Sequence, residues 1–250
     1  VDAERIIHIP ITTVEQLKFD IAQRLEEIER GDHVCIFIDS IGNLASKKEA
    51  DDALAENAAA DMTRAKQMKS LFRIVTPHLT IKDIPMLVVN HTYQTMEMFS
   101  KAVVSGCTGV MYSATQVFII GRAQEKVGTE IVGYNFTINI EKSRYVREKS
   151  KIPLTVKYEG FVCKYSGILE LALEAGLVMK PTVGWYQLVD LETGEAKGDK
   201  TRAKNTGTDE FLGEIVKLKV FKDFIINKYR TGNAQVTHES EEDESETEDE

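Results

Sequence analysis

The chain has 250 residues, 42% of them hydrophobic and 28% charged, with a formal net charge of -9. That is enough apolar material for one large packed domain, or a domain with an appendage. The three cysteines (Cys35, Cys107, Cys163) form no Cys-x-x-Cys pair, which argues against a zinc site or a disulfide framework. No stretch of eighteen apolar residues is present and the amino terminus lacks a signal-peptide pattern, so a soluble, cytoplasmic protein is expected.

In chain order, residues 5–11 (RIIHIPI) suggest a short strand. A helix follows, opened by a capping box of Thr12 with Glu15. Val14, Leu17, Ile21, Leu25 and Ile28 supply its apolar stripe, and Gly31 ends the pattern. A strand at 34–38 completes a β-α-β unit, whose crossover makes its two strands parallel. The polar segment SKKEADDALAEN lacks a sustained stripe and is expected to be a loop or a frayed helix. A firmer helix spans about 58–76, with Met62, Ala65, Met68, Phe72 and Val75 inward and Lys66, Lys69 and Arg73 on another flank. A buried strand at 84–90 ends in Asn90-His91.

From Thr92 to Gly109 no period is evident, and a structureless stretch of that size in a compact domain is usually functional. Strands at about 115–121, 133–141 and 152–158 then replace strand–helix alternation with hairpins. A helix at 166–175, a short hairpin around 184–197 and a helical segment near 209–230 complete the ordered part. The last thirteen residues, 238–250, hold nine carboxylates and no lysine or arginine, so the rest of the chain is close to neutral. Such a run buries too little to offset its ordering entropy and is expected to be a disordered tail, either solubilising or regulatory.

The most informative stretch is His33 to Ser40 (HVCIFIDS). Its continuous apolar run suits a strand buried on both faces of a parallel sheet. An aspartate at the carboxyl end of such a strand lies where phosphates and Mg²⁺ bind, the form of a Walker B strand. The usual partner, a Gly-x-x-x-x-Gly-Lys-Ser/Thr loop, occurs nowhere in the sequence. The segment from Gly194 to Thr201 has a superficial likeness to one, but its spacing is wrong and no helix follows.

The Asp39 strand with IDSIGNL, the strand ending VVNHT, the glycine-bearing loop after it and EKSR occur in order and at the right intervals. Together with GNLASKKE, DMTRAK, MKSLFRIVTP, EMFSK and GWY, they resemble the RecA-type recombinases, in the form carried by T-even-like bacteriophages. The resemblance covers about residues 1–230 and is specific. It implies an α/β fold: a partial RecA-like ATPase core over 1–180, with a mostly parallel sheet, helices on both faces and antiparallel strands at one edge. A small C-terminal α/β region over 181–230 and an acidic disordered tail over 231–250 follow. Relative to that family the chain begins after the phosphate loop and after the acid that activates water, so alone it is not expected to hydrolyse ATP.

The resemblance also implies site residues. Asp39 would hold Mg²⁺, largely through water; on the residues alone it could equally cap a turn. Ser40 is a second nucleotide candidate, or a local backbone partner. His91 would sense the γ-phosphate and pass the signal to the loop after it, although a lone histidine is commonly a surface residue. Lys142 and Arg144 would reach a neighbouring subunit's γ-phosphate and share one face if their strand continues; otherwise they form a solvated basic edge. Tyr158 would pack against adenine. For DNA, Met96, Met98, Phe99, Lys101, Gly106 and Gly109 lie in one candidate loop, and Lys47, Lys48 and Arg64 in another. Apolar wedges and phosphate-neutralising cations would make binding sequence-independent and salt-sensitive.

The implied function is homologous recombination and repair: an ATP- and Mg²⁺-dependent filament on single-stranded DNA that pairs with a homologous duplex and exchanges strands. Implied partners are single- and double-stranded DNA, further copies of the chain, and single-strand-binding and mediator proteins. The tail would weaken duplex binding. Two alternatives stand beside this reading: a RecA-fold replicative helicase, and a non-catalytic DNA-binding or filament-capping subunit.

Overall fold

The computed structural model describes residues 2–55, 62–94, 102–104 and 108–231. The fold is mixed α/β and divides into two compact units, Val1–Ile119 and Ile120–Glu250. Among the described residues no helix is long and apolar enough to cross a membrane.

The first unit begins with a 3-10 turn, Ala3–Arg5, and extended chain rather than the strand expected at 5–11. Among the described residues no strand pairs with that segment, and Ile6 and Ile7 are exposed. The β-α-β unit expected there is therefore replaced by another, described below. Helix α1 (Val14–Glu27) is capped by Thr13, whose Oγ1 accepts the Gln16 N–H at 3.3 Å. The cap expected at Thr12 thus falls one residue later, and Glu15 takes no part in it. Glu15 is used elsewhere: its carboxylate accepts the Lys47 N–H at 2.9 Å, at the start of the next helix, where negative charge meets the positive end of the helix dipole.

Strand β1 (Ile36–Ile38) leads through a 3-10 turn, Ile41–Asn43, into α2 (Lys47–Leu54) and α3 (Thr63–Lys82), and strand β2 (Met86–Val88) returns parallel to β1. This is the β-α-β unit of the fold. Ile36 and Ile38 pair with Met86 and Val88 and face a core built from the α1 stripe with Met68, Leu71, Phe72 and Val75 of α3. Phe37 and Leu87, paired on the opposite face, are 63% and 53% exposed. The apolar run is therefore buried on one face, because helices cover only that side among the described residues.

The segment expected to be a loop or frayed helix is α2, closed by a full capping box of buried Ser46 with Glu49. Helix α3 passes the end expected near residue 76 and continues through Pro77. Proline costs one backbone bond and crowds the preceding turn. The last turn is held nonetheless: Leu79 packs on the core, and Lys82 Nζ donates to the Ile28 carbonyl at 2.6 Å. Asp83, with φ 58°, then ends the helix in the left-handed region. Met62, expected in the buried stripe, precedes the helix and is 83% exposed. Residues 92–109 are not wholly structureless: β3 (Thr92–Gln94) pairs antiparallel with β4 (Ala102–Val104), and α4 spans Thr108–Ser113.

Strand β5 (Gln116–Val127), most of which belongs to the second unit, forms one sheet with β6 (Glu130–Ser143), β7 (Lys151–Lys157) and β8 (Phe161–Val162), in that order. The first two are longer than expected, because their polar ends extend the pairing without an apolar signal. Gly133 is required where β6 meets β7: an added Cβ would lie 2.3 Å from the Val156 carbonyl oxygen. Helix α5 (Ile168–Glu174) precedes an antiparallel sheet of β9 (Val178–Thr182), β10 (Trp185–Val189) and β11 (Ala196–Arg202). The stretch from Gly194 to Thr201 lies in the turn and last strand of that sheet. The final helical segment is two helices, α6 (Leu212–Lys217) and α7 (Lys219–Tyr229), separated by extended Leu218. Leu177, Val178, Phe211, Leu212, Ile215 and Phe221 centre the core of this part.

Candidate functional site

The parallel pairing of β1 and β2 brings the carboxyl ends of both strands to one edge. Two backbone bonds beyond the ladder hold them there: Val89 N–H to the Ile38 carbonyl at 2.9 Å and Ile41 N–H to the Val89 carbonyl at 3.1 Å. Asp39 is exposed at this edge, and the Asp39–Ser40 peptide bond is cis. His91 lies three residues beyond β2, directly before β3. Its Nε2 is 3.3 Å from Ser40 Oγ and 3.1 Å from Asn43 Oδ1. Its own N–H donates to Asn90 Oδ1 at 2.9 Å.

The turn carrying Asn43 is held by Arg64. Its Nε donates to the Leu44 carbonyl at 2.6 Å, and its Nη2 to the Ile41 and Gly42 carbonyls, each at 3.0 Å. Gly42 makes room for the imidazole: an added Cβ would sit 2.3 Å from His91 Cδ2. The structure thus joins Ser40, His91 and Arg64, which sequence reasoning named, with Gly42 and Asn43, which it did not. Their one sequence signal was the Ile-Gly-Asn tripeptide directly after the acidic strand end.

Among the described residues no group of three or more histidines, cysteines or carboxylates could hold a metal. A lone exposed Asp39 fits Mg²⁺ all the same, since that ion keeps several waters and takes one or two carboxylates beside phosphate oxygens.

Lys47 opens α2 with its side chain exposed, and Lys48 is ion-paired with Asp52 one turn on. Gly109 lies in α4, where its carbonyl accepts from Ser113 Oγ at 2.9 Å. Met96, Met98, Phe99, Lys101 and Gly106 lie outside the described residues, as does the acidic tail. The hairpin of β3 and β4 begins at Thr92, directly after His91, and brackets residues 95–101.

Lys142 and Arg144 belong to the second unit. Strand β6 ends at Ser143, whose Oγ accepts the N–H groups of Tyr145 and Val146 at 3.1 and 3.0 Å. The alternation that would place both side chains on one face therefore stops between them. Tyr158, 63% exposed, meets Tyr134 edge-on at 5.9 Å, and Arg122 lies 4.7 Å over the Tyr134 ring. A hydrogen bond with Tyr134 raises the Tyr158 phenol above its ordinary value of 10.0.

Residues 165–225 match the family described as the C-terminal domain of the bacteriophage T4 recombination and repair protein. Over 236 residues, 93% of this chain, the sequence is 53% identical to the recombination and repair protein of Enterobacteria phage T4. It is 22% identical over 231 residues to protein RecA of Acholeplasma laidlawii, covering 91% of this chain and 67% of that one. The chain is thus similar to these recombination proteins along most of its length. It spans 60% of the length of the phage T4 protein it matches.

Proposed function

We propose that this chain serves phage homologous recombination and repair, as the nucleotide-sensing and DNA-binding part of an ATP- and Mg²⁺-dependent recombinase acting in the host cytoplasm. The observation that carries this reading is the place of His91. It is bonded to Ser40 at the strand edge that bears Asp39, and it directly precedes the β3–β4 hairpin. A group at that junction can convert contact with a phosphate into a change in the adjoining loop.

In this reading Asp39 holds Mg²⁺ through water, Ser40 lies beside it, and the ion would neutralise phosphate charge. His91 donates to the terminal phosphate. Lys142 and Arg144 of one subunit stabilise negative charge at the site of the next, as trans-acting cations do in phosphoryl transfer. Tyr158 packs on the base. Lys47, Lys48, Arg64, Gly109 and the segment from Met96 to Gly106 line the DNA path in a helical filament. The filament pairs single-stranded DNA with a homologous duplex and accepts single-strand-binding and mediator proteins as partners. Residues 1–180 carry the nucleotide- and DNA-facing part, residues 181–230 form an accessory region, and the tail beyond lowers affinity for duplex DNA.

These 250 residues contain no Gly-x-x-x-x-Gly-Lys-Ser/Thr loop. Hydrolysis is therefore assigned to an assembly in which such a loop is supplied, and the same observation favours, as a second reading, a non-catalytic DNA-binding subunit.

Titration of a labelled single-stranded oligonucleotide tests the first reading, since affinity should fall steeply between about 50 and about 200 mM salt and vary little with base sequence. Failure to bind at the lower salt would overturn it. Nucleotide-dependent binding after addition of a phosphate-loop segment, lost in His91→Ala, separates the sensor from a passive binding subunit.

A further inference from the structure

We propose that Asn43 and Arg64 are positioning residues that fix His91 in its Nε2-protonated form, leaving Nδ1 as the ring's acceptor. The proposal deepens the sensor reading of His91 and rests on it for its functional meaning.

Three observations carry it. The first is chemical: His91 Nε2 is 3.1 Å from Asn43 Oδ1, an amide oxygen that only accepts, so a hydrogen bond between them requires the proton on that nitrogen. The Ser40 hydroxyl, 3.3 Å from the same nitrogen, is then a second acceptor. The second is steric. With Cδ2 against Gly42, the ring occupies the volume any other side chain there would take, so its place beside the turn depends on glycine at that position.

The third is mechanical. Asn43 ends a 3-10 turn of three residues whose closing bond, Leu44 N–H to the Ile41 carbonyl, is 3.4 Å long. A turn that short does not hold an exposed side chain in register by itself. Arg64 supplies the rigidity by binding three carbonyls of residues 41–44. Its planar fork fits several fixed acceptors at once, which a lysine ammonium does not reproduce. Arg64 in turn stands in the first turn of α3, whose Met68, Leu71 and Phe72 are buried. The path from core to proton is therefore continuous: α3, Arg64, the turn, Asn43, His91.

The consequence is a defined donor. A phosphate oxygen accepts as the Asn43 amide does, so the Nε2–H that Asn43 maintains is the group a phosphate would recruit. Without Asn43 the imidazole would divide between two tautomers, and only one of them could donate from that nitrogen.

The test uses the full chain, labelled with ¹⁵N at its five histidines and observed by long-range ¹H–¹⁵N correlation at about pH 8, above the ordinary imidazole range. His91→Gln assigns the signal. His91 should show the Nε2–H pattern. Asn43→Ala should lower the ratio of Nε2–H to Nδ1–H by about fivefold, the bias one ordinary hydrogen bond supplies. Arg64→Lys should produce the same shift while the other histidine signals stay in place, and Ser40→Ala, which removes the longer of the two contacts, should lower the ratio less than Asn43→Ala does. A predominant Nδ1–H form in the unsubstituted chain overturns the proposal, as does an unchanged ratio in Asn43→Ala. Neither nucleotide nor DNA is present, so this outcome stands apart from the sensor reading, which fails if His91→Ala leaves nucleotide-dependent DNA binding unaltered.

Discussion

Lys82, in the last turn of α3, places its ammonium 2.6 Å from the Ile28 carbonyl oxygen at the end of α1, and it also donates to the Leu25 carbonyl. One cation thus closes the carboxyl end of a neighbouring helix, where the dipole concentrates negative charge. Replacing it by methionine keeps the aliphatic stem and removes the donor. Lys82→Met should cost about 1.5–3 kcal/mol, the range for hydrogen bonds to a charged group. A urea midpoint equal to that of the unsubstituted chain would show that water satisfies those carbonyls instead.

The α1 stripe carries the core of the first unit. Leu25 is fully buried there, whereas Phe19, on the same helix, is 71% exposed. Leu25→Ala should lower stability by about 2–5 kcal/mol through lost burial and the cavity left behind. Phe19→Ala should stay within about 0.5 kcal/mol. Equal losses in denaturant unfolding would contradict the orientation of α1.

Gly42→Ala isolates the steric part of the site. The new methyl would lie 2.3 Å from His91 Cδ2, so the ring must leave its place beside Ser40. The His91 Cδ2–H resonance should move, and coupling between nucleotide and DNA binding should weaken. Because the core of the unit is not touched, the melting temperature should change little. A stationary resonance would place the imidazole elsewhere.

In the second unit Asp209 accepts from Lys164 Nζ at 2.6 Å and from the Tyr165 hydroxyl. Lys164, then Tyr165, hold the Asp209 carboxyl below its ordinary value of 3.8. The bond to Asp209 and then that to Tyr165 hold Lys164 above its ordinary 10.5. A depressed acid contributes stability that is present above its unfolded value and lost as pH falls through its folded one. A raised lysine contributes stability that is present below its unfolded value and lost as pH rises through its folded one. The melting-temperature difference between the unsubstituted chain and Asp209→Asn should therefore be level across neutral pH and shrink below 3.8 and above 10.5. A difference that grows on acidification would refute the pairing.

Elements with a strong period were legible in the sequence. The α1 stripe is buried as its spacing implies, and Met68, Phe72 and Val75 do the same for α3. Local signals failed where something distant outweighed them. Two consecutive threonines left the α1 cap open by one residue, and contact with Lys47 took Glu15 away from it. Pro77 reads as a stop, yet packing and the Lys82 bonds carry α3 past it. The alternation linking Lys142 to Arg144 ended at Ser143, whose hydroxyl turns the chain. For Phe37, apolarity alone did not say which faces of the sheet would be covered.

The sequence by itself determined that Asp39 follows one apolar strand and that His91 comes soon after another. Those are properties of neighbouring residues and of their order. Only the tertiary structure decided that Ser40 and His91, 51 positions apart, share a hydrogen bond, and that Arg64 fixes the turn between them. Contacts near 3 Å depend on the register of β1 against β2 and on how deeply α3 is seated in the core. Neither is encoded in any one segment, because each is the outcome of packing all of them together.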